Sequence, residues 1–185
     1  MTISVQQIVS AGVGLMLVGG TILAAQPRRV GFRAEVPVTA GWNADVNGDG
    51  IADFCQVEAP SANVLVCTPS KAGSKPFRGT MDLGYQEGQA FVDFDGDGKQ
   101  DFCRIVGDNF PFNSHAWCTL STGTGFGNTL RSPSLDWGYG NTREWKDVNG
   151  DKKGDFCRAI GNNREIWACN YSTGTGFGPV VTSRR

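Results

Sequence analysis

Acidic and amide side chains recur at a fixed spacing in three short windows of the sequence. The windows are residues 45–53 (DVNGDGIAD), 93–101 (DFDGDGKQD) and 147–155 (DVNGDKKGD), and they hold ten of the 18 acidic residues in the 185-residue chain. Each window carries an oxygen-bearing side chain at its positions 1, 3, 5 and 9. Carboxylates packed this closely repel one another unless a cation neutralises them. Oxygen ligands at alternate positions, followed by a sharp turn at position 6, are typical of a Ca²⁺ loop. We therefore expect these windows to bind Ca²⁺.

The side-chain ligands predicted by this pattern come from positions 1, 3, 5 and 9 of each window. They are Asp45, Asn47, Asp49 and Asp53, then Asp93, Asp95, Asp97 and Asp101, then Asp147, Asn149, Asp151 and Asp155. Position 7 would add a backbone carbonyl from Ile51, Lys99 or Lys153.

The third window departs from the pattern, because Lys152 stands where the other two have Gly50 and Gly98. A lysine there must adopt a backbone conformation that favours glycine. We therefore expect two Ca²⁺ ions and treat a third as an alternative. The windows are not EF-hands, since none has a Glu at position 12 and no amphipathic helix flanks them. The remaining alternative is an acidic turn capped by its own side chains without metal.

The windows belong to a longer repeat, in which successive copies start 48 and 54 residues apart. Each window is followed by an Asp-Phe-Cys segment, then by an apolar run with a second Cys, and in the last two copies by STGTGFG. Short alternating and apolar runs between turn residues indicate strands. The order strand, acidic loop, strand, turn, strand, turn, strand predicts an all-β fold of three four-stranded antiparallel units. We place the units at about residues 41–90, 91–143 and 144–185, within a domain at 31–185.

The six cysteines fall two to a repeat. Of fifteen possible connectivities, the register favours a bridge within each repeat, between the strand after the acidic loop and the next strand. The predicted pairs are Cys55 with Cys67, Cys103 with Cys118 and Cys157 with Cys169. Such disulfides indicate a location outside the reducing cytosol, on a periplasmic or extracellular face.

The loop pattern D-x-[DN]-G-D-x-x-x-D and the recurring GTGFG turn resemble FG-GAP repeats, also called VCBS repeats, over about residues 34–185. The resemblance implies Ca²⁺ in the hairpin loops and blades of a β-propeller, as in integrin α-subunits and lectin propellers. Three blades are fewer than a closed propeller usually has. The resemblance therefore leaves open a partial propeller, or a ring that two or more chains complete. Segment 32–40 resembles the last strand of a blade and could pair beside the strand near the carboxyl end.

The first 30 residues form a separate hydrophobic segment, with 18 uncharged residues at 8–25. This length just reaches that of a membrane-spanning helix. No basic residue precedes the apolar run, unlike the start of a typical signal peptide. We expect an N-terminal apolar helix that anchors an exported protein in the lipid bilayer, with a cleaved signal as the alternative.

Composition argues against several functions. A net charge of −1 argues against nucleic-acid binding, and a single histidine, His115, removes most zinc sites and nucleophile–base pairs. Glu87, Glu144 and Glu165 lie outside the acidic windows, but their spacing does not pair them. We therefore predict no enzyme. The expected function is a non-catalytic interaction or accessory subunit of a membrane or surface assembly, binding other protein subunits. The alternatives are a Ca²⁺-dependent lectin or adhesin that binds glycans and, more distantly, a hydrolase.

Overall fold

Strands dominate the part of the chain that the structure describes. This computed structural model describes residues 41–58, 63–107 and 113–184, which form twelve β-strands and one 3₁₀ turn. The strands form three four-stranded antiparallel sheets, each in simple sequential order. The predicted all-β architecture of three antiparallel units is confirmed at this level.

Each sheet uses four consecutive strands. Sheet 1 contains β1 (Trp42–Ala44), β2 (Asp53–Val57), β3 (Val64–Thr68) and β4 (Phe77–Thr80). Sheet 2 contains β5 (Tyr85–Val92), β6 (Asp101–Gly107), β7 (Ser114–Ser121) and β8 (Phe126–Arg131). Sheet 3 contains β9 (Glu144–Lys146), β10 (Asp155–Ile160), β11 (Ile166–Ser172) and β12 (Phe177–Arg184), and the 3₁₀ turn Gly140–Thr142 precedes it. The acidic windows connect the first two strands of each sheet, and we call them loop 1 (45–53), loop 2 (93–101) and loop 3 (147–155).

A disulfide joins the second and third strands of every sheet. The three bridges are Cys55–Cys67, Cys103–Cys118 and Cys157–Cys169. Each pair of cysteines lies directly opposite in the antiparallel register, with Cα atoms 4.0–4.1 Å apart. The within-repeat pairing predicted from the sequence is therefore present.

The core lies between successive sheets. The disulfide cysteines of sheet 1 pack in one cluster with Phe102 and Phe126 of sheet 2. The disulfide cysteines of sheet 2 pack with Trp145 and Phe177 of sheet 3. Aromatic side chains bury large areas of apolar surface, so these contacts stabilise the stacking of each sheet on the one before it.

Buried arginines hold the segments that lead into sheets 2 and 3. Arg104 donates from Nε to the carbonyl oxygen of Asp82 at 2.6 Å, and Arg158 donates to that of Asp136 at 2.6 Å. Burial lowers the pKa of both arginines to about 10. Both remain charged at neutral pH, and each hydrogen bond holds the segment that leads into the arginine's own sheet.

Some predictions concern residues outside the described ranges. These are the N-terminal helix, the anchor at 8–25 and the strand at 32–40. Among the residues at 41–58, 63–107 and 113–184, no helix has the length and apolar character needed to cross a membrane. Tyr85, which the sequence assigns to the first repeat, is the first residue of sheet 2.

Candidate metal-binding loops

The aspartate at position 1 organises the backbone of each loop. In loop 2, Asp93 Oδ1 accepts the amides of Gly96 at 2.7 Å and Asp97 at 3.1 Å, and Oδ2 accepts that of Gly98 at 2.9 Å. Asp45 accepts the amides of the same three loop positions, whereas Asp147 accepts those of Asn149, Gly150 and Lys152. These bonds curl the chain around the carboxylate at position 1.

Position 6 requires a left-handed backbone. Gly50 and Gly98 have φ values of 81° and 86°, and Lys152 occupies the same conformation with a φ of 66°. Loop 3 thus keeps the fold of the other loops despite its lysine. The left-handed region is unfavourable for a residue with a Cβ atom, so loop 3 contains local strain that loops 1 and 2 lack.

The aspartate at position 9 is fully buried in all three loops: Asp53, Asp101 and Asp155. Asp101 accepts the amides of Phe94 at 2.9 Å and Ser121 at 2.8 Å, and so links its own loop to the end of β7. Burial raises the pKa of Asp101 to about 7, and the nearby charges of Asp95 and Asp97 add to the effect. Burial also raises the pKa of Asp155.

Loop 2 brings three predicted ligands together. Oxygen atoms of Asp93, Asp95 and Asp101 all lie within 4.8 Å of one another. Two oxygens bound to one Ca²⁺ ion at about 2.3–2.6 Å each are at most about 5 Å apart. Burial and the charge of Asp97 raise the pKa of Asp95. A hard divalent cation fits both this spacing and this concentration of negative charge.

The fourth carboxylate of loop 2 is paired differently. Asp97 forms an ion pair with the ammonium group of Lys99, and the Lys99 amide donates to its Oδ1 at 2.9 Å. Although burial opposes the effect, these hydrogen bonds lower the pKa of Asp97. Loop 3 repeats the pair between Asp151 and Lys153 at 3.2 Å. The prediction for position 7 considered only a carbonyl, and the structure adds a cationic side chain there in loops 2 and 3.

Loops 1 and 3 carry an amide at position 3. Asn47 and Asn149 each accept the amide of the position 5 aspartate at 2.9 Å. Loop 1 places Ile51, which is 51% exposed, at position 7, so it has no lysine to pair with Asp49. These loops keep the backbone shape of loop 2 with one carboxylate fewer.

Three serines next to the loops were not among the residues predicted for the site. Ser70, Ser121 and Ser172 donate their amides to the position 9 aspartates at 2.8 Å. Ser121 and Ser172 start the recurring STGTGFG segments. That recurrence was the available signal, but only the fold brings the end of the third strand against the loop.

The residues that the sequence offered as candidates for catalysis each contact a different partner. His115 donates from Nδ1 to the carbonyl of Ser132 at 3.0 Å. Glu87 lies 3.8 Å from Arg143, and Glu165 accepts the amide of Asn163 at 2.8 Å. A groove of about 520 Å³ between sheets 1 and 2 includes Trp42, Asn63, Gln86 and Gln89 in its lining. Its described lining offers stacking and hydrogen-bonding groups but no ionisable side chain.

Comparison with known proteins gives one curated relative and a distant structural neighbour. No family model matches the chain. The chain is 30% identical over 125 residues to the NAD(+)--arginine ADP-ribosyltransferase Chelt of Vibrio cholerae, a match that covers 64% of this chain. The chain spans about a fifth of the length of that relative, 20%. The Photorhabdus luminescens Tc holotoxin pore aligns with 80% of this chain and 7% of its own, at 13% identity. Its TM-score of 0.41 is too low to indicate a shared fold.

The match to Chelt corrects the function expected from the sequence. The prediction of a non-catalytic interaction or accessory subunit of a membrane or surface assembly is wrong, and so is the prediction that the chain is not an enzyme, because the relative is an ADP-ribosyltransferase. The lectin, adhesin and hydrolase alternatives are dropped with them. The physical reason is that acidic loops and disulfides report what stabilises these sheets, whereas an activity depends on a site that such repeats do not encode.

Proposed function

We propose that this chain takes part in NAD⁺-dependent ADP-ribosylation of arginine, as an exported protein whose described part is a Ca²⁺-stabilised repeat region. The observation that carries the proposal is the 30% identity to Chelt over 125 residues. In this reaction the bond between ribose and nicotinamide breaks, a bond from ribose to a guanidine nitrogen forms, and nicotinamide and a proton are released.

The repeat region is proposed to consist of FG-GAP or VCBS blades. Each of its three sheets is a four-stranded meander with the acidic loop in its first hairpin. Successive sheets pack face to face through aromatic and disulfide contacts. This arrangement supports the interpretation of the three sheets as consecutive blades of a β-propeller.

Calcium is the proposed ion of the loops. Support comes from loop 2, where three carboxylate oxygens lie within 4.8 Å of one another. When bound, the ion would supply positive charge that neutralises Asp93, Asp95 and Asp101 and so stabilises the loop. Loop 1 keeps the same backbone with Asn47 in place of one carboxylate, and loop 3 is the alternative third site.

Export is proposed from the three disulfides, since such bonds persist mainly in oxidising compartments. Each closes a loop with a sequence separation of 12 or 15 residues. A bridge of this size contributes about 3 kcal/mol in the chain-entropy estimate. The sheets would lose much of their stability in a reducing cytosol.

The activity is tested with the purified full chain, NAD⁺ labelled in its adenine ring, and a small guanidine acceptor. We expect the label to appear on the acceptor together with an equal amount of free nicotinamide. Nicotinamide without labelled acceptor would indicate hydrolysis of NAD⁺ and would contradict arginine-directed transfer. Absence of both products, with the disulfides intact and Ca²⁺ present, would overturn the proposed function.

The ion is tested separately from the activity. Melting of the full chain is followed with Ca²⁺ and with a chelator, and the same pair of measurements is made on an Asp93→Asn, Asp95→Asn variant. A ligand at 100 times its dissociation constant stabilises by about 2.7 kcal/mol. We expect Ca²⁺ to raise the melting temperature of the parent chain more than that of the variant. An equal response in both would exclude loop 2 as a site.

A further inference from the structure

Each acidic loop that is followed by another sheet is covered by that sheet through the same two hydrogen bonds. At the junction of sheets 1 and 2, the hydroxyl of Ser121 donates to the carbonyl of Val46. At the same junction, the amide of Gln100 donates to the carbonyl of Asp45 at 2.7 Å. Sheet 2 therefore satisfies the carbonyls at positions 1 and 2 of loop 1.

The junction of sheets 2 and 3 repeats this arrangement. The hydroxyl of Ser172 donates to the carbonyl of Phe94, and the amide of Gly154 donates to the carbonyl of Asp93 at 2.7 Å. Donors and acceptors occupy the same repeat positions as at the first junction. One type of interface is therefore used twice within the chain.

The apolar part of the interface also recurs. At both junctions the phenylalanine of the later Asp-Phe-Cys segment packs on the preceding sheet: Phe102 lies with Cys55 and Cys67, and Phe156 lies with Ile105 and Ala116. Both phenylalanines are fully buried. The side chain at loop position 2 is buried as well, both in loop 1 and in loop 2. Each junction thus combines an inserted aromatic ring with two hydrogen bonds to the loop.

Sheet 1 carries the groups that sheets 2 and 3 use to contact the preceding sheet, and we call these groups the inserting half of the interface. Within the described residues no other sheet covers them. Phe54, the counterpart of Phe102, is 42% exposed. Within the described ranges, the amide of Ala52 meets no acceptor, and the hydroxyl of Ser70 donates to the carbonyl of Ala52 in its own loop, at 2.6 Å. These groups correspond to those with which sheets 2 and 3 hold their predecessors.

Sheet 3 carries the opposite surface, the loop carbonyls and the sheet face that accept those groups, and we call it the receiving half. Val148, the counterpart of the buried Val46, is 37% exposed. Its carbonyl and that of Asp147 accept no hydrogen bond from the part of the chain that the structure describes. Beside Val148 a groove of about 220 Å³ is lined by Cys169, Tyr171 and Val181 among others. This groove lies on the disulfide-bearing face that receives an aromatic ring at the first junction.

We propose that sheet 1 of one copy of this chain docks on sheet 3 of a second copy, in the same way as successive sheets dock within the chain. Phe54 then packs on the face that carries Cys169, the Ser70 hydroxyl donates to the Val148 carbonyl, and the Ala52 amide donates to the Asp147 carbonyl. A second copy is the fitting partner because the chain itself carries both halves of an interface that it already forms twice.

Two copies related in this way form two identical junctions, so that neither half remains exposed. A head-to-tail interface closes into a ring when its rotation permits. The ring would contain six four-stranded sheets, within the range of about four to eight in closed propellers. This association is independent of the proposed ADP-ribosylation.

The test measures the mass of the full chain by sedimentation equilibrium over a series of concentrations, for the parent and three variants. Phe54→Glu places a charge in the inserting half, and Val148→Arg places one in the receiving half. Val180→Arg is the matched control, because Val180 is 51% exposed on β12 and does not line the receiving groove. Circular dichroism and disulfide mapping establish that each variant is folded.

We expect two chains per particle for the parent and for Val180→Arg, and single chains for Phe54→Glu and Val148→Arg. A mixture of Phe54→Glu with Val148→Arg should form more pairs than either alone, because one unaltered junction is available to the mixed pair. A monomeric parent, or particles larger than two chains, would overturn the proposal. Equal association of all three variants would overturn it too, since it would place the contact elsewhere, for example at residues 8–25.

Discussion

Loops 2 and 3 have nearly the same local structure but different surroundings. In both, the first aspartate accepts three amides and the last is fully buried. Phe94 of loop 2 is buried under sheet 3, whereas its counterpart Val148 is exposed. The loop shape is therefore a local property of the repeat, while the burial of the loop depends on the neighbouring sheet.

The largest expected effect concerns the aromatic ring at the junction. Phe102→Ala should reduce the free energy of unfolding by about 3–5 kcal/mol, because it leaves a cavity between sheets 1 and 2. Phe54→Ala should cost less than about 1 kcal/mol in the single chain, since this ring is partly exposed. Urea unfolding at low protein concentration measures both. Equal losses would mean that the two rings have equivalent surroundings.

The next effect concerns the serine that covers the loop. Ser121→Ala removes the donor to the buried Val46 carbonyl and should cost about 1–3 kcal/mol, the usual penalty for an unsatisfied buried polar group. The matched variant Ser70→Ala removes an exposed hydroxyl and should cost about 0.5 kcal/mol or less. Thermal unfolding of both variants tests the difference. A larger loss at Ser70 would contradict the described role of sheet contacts.

A smaller effect concerns the charge of the loops. Asp95→Asn makes loop 2 resemble loop 3, and Asn149→Asp does the reverse. Because ligand charge tunes Ca²⁺ affinity, we expect the first variant to raise the Ca²⁺ dissociation constant of loop 2 about tenfold. This change equals about 1.4 kcal/mol of binding free energy. The second variant should strengthen binding at loop 3. Calorimetric titration that found both affinities unchanged would argue against these side chains as ligands.

The smallest expected effect concerns the strained position of loop 3. Lys152→Gly relieves a left-handed residue and should stabilise the chain by about 0.5–1 kcal/mol, since the greater freedom of glycine in the unfolded state offsets part of the gain. The control is Lys153→Gly, which has no positive φ to relieve and should not stabilise. Differential scanning calorimetry compares them. A destabilised Lys152→Gly would mean that the lysine side chain contributes more than its backbone costs.

Much of the repeat could be predicted from local patterns. The paired cysteines are 12 or 15 residues apart and face each other across one hairpin. The acidic windows form the turns that their spacing indicates, including the left-handed position at Lys152. The role of Lys99 was not predicted, because its ammonium group reaches Asp97 only in the folded loop. Ligand spacing carries no information on an activity, because it depends on the local shape of a loop and not on a catalytic site.

The sequence alone is sufficient for the three sheets, their disulfides and the curled acidic loops, because each arises from residues close together in the chain. Phe54 and Phe102 occupy the same place in two copies of the Asp-Phe-Cys segment, so the sequence alone does not distinguish them. In the structure Phe54 is exposed and Phe102 is buried. That distinction comes from the stacking of sheets, in which Ser121 reaches Val46 across 75 residues. Burial is a property of whichever surface packs against a side chain, so identical segments differ once one of them has a neighbour.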